Sequence, residues 1–414
     1  VYSASKFNQK AADAPASVTV VTRDDIRKHG YRTLADVIRS VRGMYAYTGG
    51  IYDYVGVRGF GRPGDYNTRV LLLIDGYRAT ENVFDSAYFG NESLIDIDLV
   101  ERVEFVRGAS SALYGGNALF GVVNVITRKP ADMPNGEVAV ATSSRRTNEA
   151  RLTLAKVMDN GAELLLSASG LRSPGRTQYF ADFADPATNF GKAGGVDYEG
   201  NERLFGKFSQ GGLTFTGGYV SRLKGYGNGY YGSDFNDPRT RSIDALSFAD
   251  LTYSKPLTDR VDLTPKTSYG SYRSRETTYY SGVENRYDSE GIWWTTEAKV
   301  LAALSARHRI LAGLEYQKNA KQENRSVDVD PAMTYFDERR RSRRYGIYVQ
   351  DDYSWTDALT TSVGARYDSL ATGDNVTSPR LATVYRASAA TTLKAMRGTA
   401  FRAPNIVAGA VHRA

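Results

Sequence analysis

From residue 131 onward the chain alternates apolar and polar residues with a period of two, and helical periodicity is absent. Ala150, Leu152 and Leu154 oppose Arg151 and Thr153; Leu213, Phe215 and Tyr219 oppose Thr214 and Thr216. Ile310, Ala312, Leu314 and Tyr316 oppose Arg309, Glu315 and Gln317; Val363, Ala365 and Tyr367 oppose Gly364, Arg366 and Asp368. Strands of this kind have one apolar and one polar face. A soluble sandwich buries the apolar face between sheets, whereas a membrane barrel turns it to lipid and keeps the polar face on an aqueous lumen. Connection lengths favour the second. Residues 159–161, 210–212 and 305–306 are tight, while 172–201, 223–243, 277–291 and 319–341 read as long polar loops. Short turns at one rim and long loops at the other are the pattern of outer-membrane barrels.

Composition agrees. No run approaches the roughly 20 apolar residues that a membrane helix needs, although the chain has 414 residues, enough for more than one domain. The 40 Gly and 29 Tyr suit short strands with turns and aromatic bands, and the absence of Cys excludes disulfides and thiolate metal sites. The formal charge of +7 is interleaved with acidic residues and forms no basic block with a nucleic-acid motif, so nucleic acid is not expected as a partner. Phosphate loops, nucleophile elbows and zinc-protease motifs are lacking, so no catalytic residue is assigned and the chain reads as no enzyme. Asp328, Asp330 and Asp337 lack the ordered spacing of a calcium loop, so no metal site is assigned either.

The first 130 residues differ. Val18 to Thr22 alternate as a strand; TRDDIRKHG follows as a helix capped by Thr22 and stopped by Gly30. A second helix begins at Thr33, carries Leu34, Val37, Ile38 and Val41 on one stripe, and ends at Gly43. Strands are expected at residues 55–58 and 69–74, the latter closing on an Asp75-Gly76 turn, with one helical turn within 93–100. Residues 103–128, VEFVRGASSALYGGNALFGVVNVITR, read as a strand, a small-residue turn and a buried apolar strand without a helix between them.

That run resembles the motif that closes the plug domain of TonB-dependent outer-membrane receptors, and VGVRGFGRPGDYNTRVLLLIDGYR at residues 55–78 resembles the same plug's upstream segments. One departure is Ala109, where the family usually has Pro after the Arg-Gly pair. The resemblance implies a membrane β-barrel of about 22 antiparallel strands in a full-length protein, about 13 of them in this chain, with a mixed α+β plug inside the lumen. Residues 1–130 are the expected plug and 131–414 the N-terminal portion of the barrel. Ser378 to Arg386 and the F-R-A-P stretch before Asn405 resemble mid-barrel features, so the chain is expected to be truncated.

The same resemblance implies TonB-dependent uptake, most simply of a ferric siderophore, with cobalamin, haem or a glycan as alternative cargo and a passive pore as the alternative of another class. Its partners would be TonB with its inner-membrane motor, outer-membrane lipid, the small-molecule chelate, and a phage or bacteriocin. No cofactor is expected to be tightly bound. Val1, Tyr2, Ser3 and Ala4 resemble the end of the TonB-contacting box, or else a frayed terminus, followed by a flexible linker to Ala16. Arg58 and Arg107 are candidates to lock the plug to inward-facing Glu297 and Glu315, or to pair locally with Glu101 or Glu104. Tyr45, Tyr47, Tyr52, Tyr54, Tyr226, Tyr230 and Tyr231 offer stacking to a ligand, and Arg62, Arg69 and Arg78 offer charge to an anionic one.

Overall fold

The computed structural model describes residues 1–61, 64–143 and 146–405. The N-terminal unit contains strands β1 (Ser17–Thr22), β2 (Met44–Thr48), β3 (Asp53–Val57), β4 (Val70–Ile74), β5 (Tyr77–Arg78), β6 (Val100–Arg107) and β7 (Gly121–Thr127). Helices α1 (Arg23–His29), α2 (Leu34–Arg39) and α3 (Ser111–Tyr114) interrupt them. Both longer helices open on capping boxes, Thr22 with Asp25 and Thr33 with Asp36, and Gly30 closes α1 in the left-handed conformation. The second helix stops at Arg39, a turn before the glycine that the pattern suggested. The single turn α3 lies inside the stretch expected to lack a helix; Ser111, Ala112 and Leu113 are small or apolar enough to coil and stay buried.

Five strands make one sheet in the order β1-β6-β7-β4-β5, with β4 and β7 parallel and the rest antiparallel; β2 and β3 form a separate hairpin. Period-two alternation divides this sheet between two cores. Val70, Leu72, Ile74, Val103, Phe105, Val123 and Val125 face α1 and α2, joined by Leu246, Phe248 and Trp293 from the C-terminal wall. Leu71, Leu73, Val106 and Val122 face the other way, toward Ala4, Ala14, Ala16, Tyr114 and the wall residues Leu311 and Tyr348. At Gly121 an added Cβ would lie 2.4 Å from the carbonyl oxygen of Val106, so this strand can approach its neighbour only without a side chain.

The wall is one antiparallel sheet of fourteen strands running from Gly136–Thr142 to Thr392–Gly398. Thirteen follow a single path, and Lys255–Thr258 continues the preceding strand against the same partner. Outward positions are apolar and exposed, as at Leu314 and Ile347, which face each other across two strands at 53% and 58% exposure. Inward positions are polar and buried, as at Thr153, Ser167, Asp250, Ser268 and Gln317. That inversion is the lipid-facing arrangement. No helix among the described residues is long and apolar enough to cross a membrane.

Two of the long loops are instead strand. Val261–Tyr280 and Val283–Ser305 meet at a two-residue turn, and His308–Asp328 and Met333–Ser354 form a second hairpin of similar length. These strands have 20 to 23 residues, about twice what a bilayer requires. Beyond the membrane the outward face turns polar, as at Arg273, Arg275 and Asp288, which makes the sequence look like loop, while the ladder hydrogen bonds continue. An outward Leu314→Arg substitution is expected to destabilise the folded chain by about 2–4 kcal/mol, measured as the folding equilibrium in lipid vesicles. An unchanged equilibrium would remove Leu314 from the lipid face.

Candidate functional site: an aromatic cavity and the plug–wall contacts

Three arrays of contacts set the N-terminal unit in the wall. The first is the N-terminal segment. Ser3, Ala4, Ser5, Lys6 and Phe7 are buried, and Glu104 on β6 accepts from the backbone amides of Tyr2 (2.8 Å) and Ser3 (3.0 Å) and from the Ser3 hydroxyl (2.7 Å). Burial raises the pKa of this carboxyl, but the bonds from Ser3, Tyr2 and Arg102 together bring it below the ordinary value. Lys6 reaches Glu297 at 2.6 Å over the Tyr348 ring, and the Tyr348 hydroxyl donates to the same carboxylate at 2.8 Å. Farther along, Lys394 donates to Ala11 and Ala16, and Arg380 donates to Ala4 and Pro15.

Val1, Tyr2, Ser3 and Ala4, expected as the end of a TonB-contacting box or else as a frayed terminus, are tucked between sheet and wall in this structure. The cause is invisible locally, since Glu104, Glu297 and Arg380 lie about a hundred residues or more away.

The two expected arginines take different roles. Arg107 donates to Arg42 O (2.6 Å), Ser17 and Thr19, all within the N-terminal unit. Arg58 is exposed at φ 53°, and its guanidinium has no carboxylate partner among the described residues. Of the two glutamates, Glu297 bridges the boundary, and Glu315 pairs with a cation of the wall itself. Glu297 pairs with Lys6, and Glu315 lies 3.6 Å from Arg366, which donates to Asp368 and the Leu113 carbonyl.

The second array joins the plug to the opposite wall. Arg222 donates to Glu199 (2.6 Å) and to the Ile51 carbonyl (2.7 Å) and lies 3.6 Å from Glu92. Lys207 bonds Asp75 at 2.8 Å, so Asp75, expected as a turn residue, also holds the wall and caps Thr127. In the third, Asn82 inserts its side chain beside Gly291 and donates to Asn319 and the Lys321 carbonyl.

Above these contacts, at the long-hairpin end, lies a cavity of about 730 Å³. Its floor comes from the plug: Tyr52, Tyr54, Tyr66, Phe84 and Tyr88, with Tyr66 stacked on Phe84 at 5.1 Å and Tyr52 against Tyr88 at 6.0 Å. One side comes from one face of one wall hairpin, Tyr272, Ser274, Glu276, Thr278 and Tyr280 against Val283, Asn285, Tyr287 and Ser289. Tyr230 and Tyr231 close another side.

Of the residues singled out from sequence, Tyr52, Tyr54, Tyr230 and Tyr231 line this cavity. Tyr45 and Tyr47 stack behind Tyr54, and Tyr226 is buried with its hydroxyl on Thr278. Arg69 pairs with Asp65 at 3.3 Å, and Arg78 donates to the Tyr114 and Gly116 carbonyls, so neither serves the cavity. Arg62 lies outside the described residues. Asp328 accepts from Asn285 and Tyr335, Asp337 from Arg339, and the described residues contain no grouping that could hold a metal ion. Of the cavity residues missed from sequence, Tyr66, Phe84, Tyr88, Tyr272 and Tyr287, the last two had a signal, the period-two alternation at 272–280 and 283–289, whose part from 277 onward read as loop.

An internal plug filling a sheet whose outer face is apolar and inner face polar defines a plugged outer-membrane β-barrel. The family model of the TonB-dependent receptor plug domain matches residues 10–122, and that of the TonB-dependent receptor-like β-barrel matches residues 176–411. This chain belongs to the TonB-dependent receptor family, a family of receptors and transporters of the outer membrane. It is 28% identical over 423 residues to a protein named vitamin B12 transporter BtuB from Vibrio vulnificus (strain CMCP6), covering 98% of this chain and 63% of that one. It is 34% identical over 146 residues to an iron-regulated outer membrane virulence protein of Vibrio cholerae, covering 34% of this chain and 22% of the relative. A crystal structure of a mutant ferric enterobactin receptor, PfeA, from Pseudomonas aeruginosa shares the fold at a TM-score of 0.73 and 18% identity, covering 96% of this chain and 63% of that one. The chain thus spans less than two thirds of the length of these relatives.

Breaking one partner of a buried pair costs about 3–5 kcal/mol. Glu297→Ala should therefore free the N-terminal segment, raising the rate of tryptic cleavage after Lys6 and Lys10 at least about tenfold by mass spectrometry, whereas Arg107→Ala leaves it protected.

Two plug carboxyls carry a pH dependence. Burial pushes Glu81 up to about 7 against the amides of Ser86, Val83 and Phe84 that bond it, and pushes Glu92 to about 7 despite Arg222. The folded plug keeps protons there that the unfolded chain releases between the ordinary 4.5 and about 7, so this contribution favours folding at low pH and falls as pH rises through 7. Hydrogen-exchange protection of Val83, Phe84 and Ser86, corrected for intrinsic rate, should drop from about pH 5 to about pH 8, and Glu81→Gln should flatten that change.

Proposed function

We propose that residues 1–130 are the plug and residues 131–414 the N-terminal part of the barrel of a receptor for TonB-dependent uptake of a metal chelate, foremost a ferric siderophore. The observation that carries the reading is the aromatic cavity at the junction of plug and wall, roomy enough for part of a chelate and closed underneath by the plug. Tyr52, Tyr54, Tyr230 and Tyr231, proposed as ligand contacts, stand at that junction, and Tyr52 also bonds Asp244 of the wall at 3.0 Å. A ligand held there touches both bodies whose separation would open a path.

The short-turn rim, where the N-terminal segment lies, would face the periplasm and TonB, and the long hairpins would face outward, where a phage or bacteriocin could also dock. Residues 1–7 are packed away in this conformation, so TonB engagement requires their release from Glu104 and Glu297. Tight capture cannot itself discharge the cargo, since the energy that binds it must be overcome by work. Lys6–Glu297 is the proposed plug–wall ion-pair lock, in place of Arg58 and Arg107, and Arg366, held in the wall by Glu315 and Asp368, adds a bond to the Leu113 carbonyl of the plug. Ionic contacts in a wet lumen hold firmly and re-form after rearrangement. A second reading, cobalamin, is favoured by the vitamin B12 transporter that aligns over 98% of this chain.

The deciding experiment is uptake of labelled ferric siderophores and cobalamin by cells with and without the receptor, each with TonB intact or deleted. The expected outcome is loss of the same cargo in both deletions, and a Tyr287→Ala receptor weaker for that cargo by about tenfold. Uptake that needs the receptor but not TonB would leave a passive pore.

A further inference from the structure

The cavity is aromatic, and among the described residues that line it the only Asp, Glu, Lys or Arg side chains are the acidic Glu276 and Asp328. Glu276 faces it from the wall, half-buried, with no hydrogen-bond or ion-pair partner among the described residues. Asp328, on the same lining, accepts from Asn285 (2.8 Å) and the Tyr335 hydroxyl (2.7 Å), both uncharged. On the inner face of the wall Asp244 is bonded by the hydroxyls of Ser274, Ser242 and Tyr52, with Arg222 close enough to act on it but in no salt bridge to it. Beneath the floor Glu81 is held by the backbone amides of Val83, Phe84 and Ser86.

Four carboxyl side chains thus surround the space, and none is in a salt bridge with a described Lys or Arg; no described Lys or Arg lines it. The adjoining cavity, which shares Tyr52 and Tyr230, does contain Arg176, Arg222 and Lys224, but Arg222 is held by Glu199 and Glu92 and Lys224 by Asp197. Aromatic faces are themselves negative and attract cations, so Tyr66, Tyr280 and Tyr287 act in the same sense as the carboxylates. A polyanion entering this site would meet carboxyl groups and aromatic faces with no cation among the described lining residues to offset its charge.

We infer that the ligand of this cavity carries no net negative charge: it is a neutral or cationic chelate with flat or apolar surface, one of whose donor or positive groups is taken by Glu276. This rests on the uptake reading above and narrows it, setting aside polyanionic ferric complexes. The test is calorimetric titration of the purified receptor in detergent with four probes: a neutral ferric trishydroxamate, monocationic ferrioxamine, a trianionic ferric tris-catecholate, and cyanocobalamin.

The tightest binder should be neutral or cationic, and the trianion at least about a hundredfold weaker, as expected of repulsion left unscreened by a counter-charge. Glu276→Lys, checked for folding by its heat-modifiable gel mobility, should raise the affinity of the trianion relative to ferrioxamine by at least about tenfold. Tightest binding of the trianion by the wild-type receptor overturns the inference and leaves the uptake reading standing, as does an order of affinities that Glu276→Lys does not change. Binding of none of the four overturns both.

Discussion

A carboxylate with no water to face governs how the N-terminal unit is put together. Glu104 sits at the centre of a sheet face and is fully buried, so its charge must be met by donors that come to it. Arg102 supplies one bond from the same strand, and the rest come from the amides of Tyr2 and Ser3 and the Ser3 hydroxyl. That requirement fixes the first residues of the chain against β6. With Ser3 fixed, Tyr114 reaches its carbonyl, Ala4 covers the apolar side chains beside it, and Lys6 is delivered to Glu297 on the wall. One buried charge thereby sets the position of a segment, and the segment sets the contact between two bodies.

The sheet itself explains why such a cover is needed. Leu71, Leu73, Val106 and Val122 would otherwise meet the aqueous lumen, because the helices protect only the opposite face. The two faces are sealed differently. On one, α1 and α2 pack with Phe248 and Trp293, and Tyr77 stacks on Phe248 at 4.3 Å. On the other, small residues and polar bonds predominate, and these separate at less cost than an interdigitated apolar core. The asymmetry identifies the face along which plug and wall can most readily part, and it runs from the N-terminal segment toward Glu315 and Arg366.

Much of this was legible in the sequence. The caps Thr22, Thr33 and Gly30, the strand at β4, the buried apolar strand at β7 and the inverted polarity of the wall all follow from local chemistry and period-two pattern. The wall's path of thirteen strands also agrees with the count from alternation. What failed to read was of two kinds. Hairpins that leave the membrane lose their outward apolar face and with it the signal that separates strand from polar loop, which hid Tyr287. Partnerships between residues hundreds of positions apart leave no trace in either neighbourhood, so Lys6 looked like part of a linker, and Arg58 and Arg107 were given glutamates that belong to others.

The long hairpins have a consequence for how chains of this kind can vary in length. In a flexible loop one added residue is absorbed by slack. In a ladder that runs unbroken to a two-residue turn at Ser281 and Gly282, it forces a bulge or turns every side chain beyond it to the other side, so that Tyr280 and Glu276 would exchange places with their outward neighbours. Additions of two keep the facing and simply lengthen the hairpin. Insertions and deletions tolerated in this part of the molecule should therefore come in even numbers, a rule of parity imposed by backbone pairing on a region whose composition resembles that of a loop.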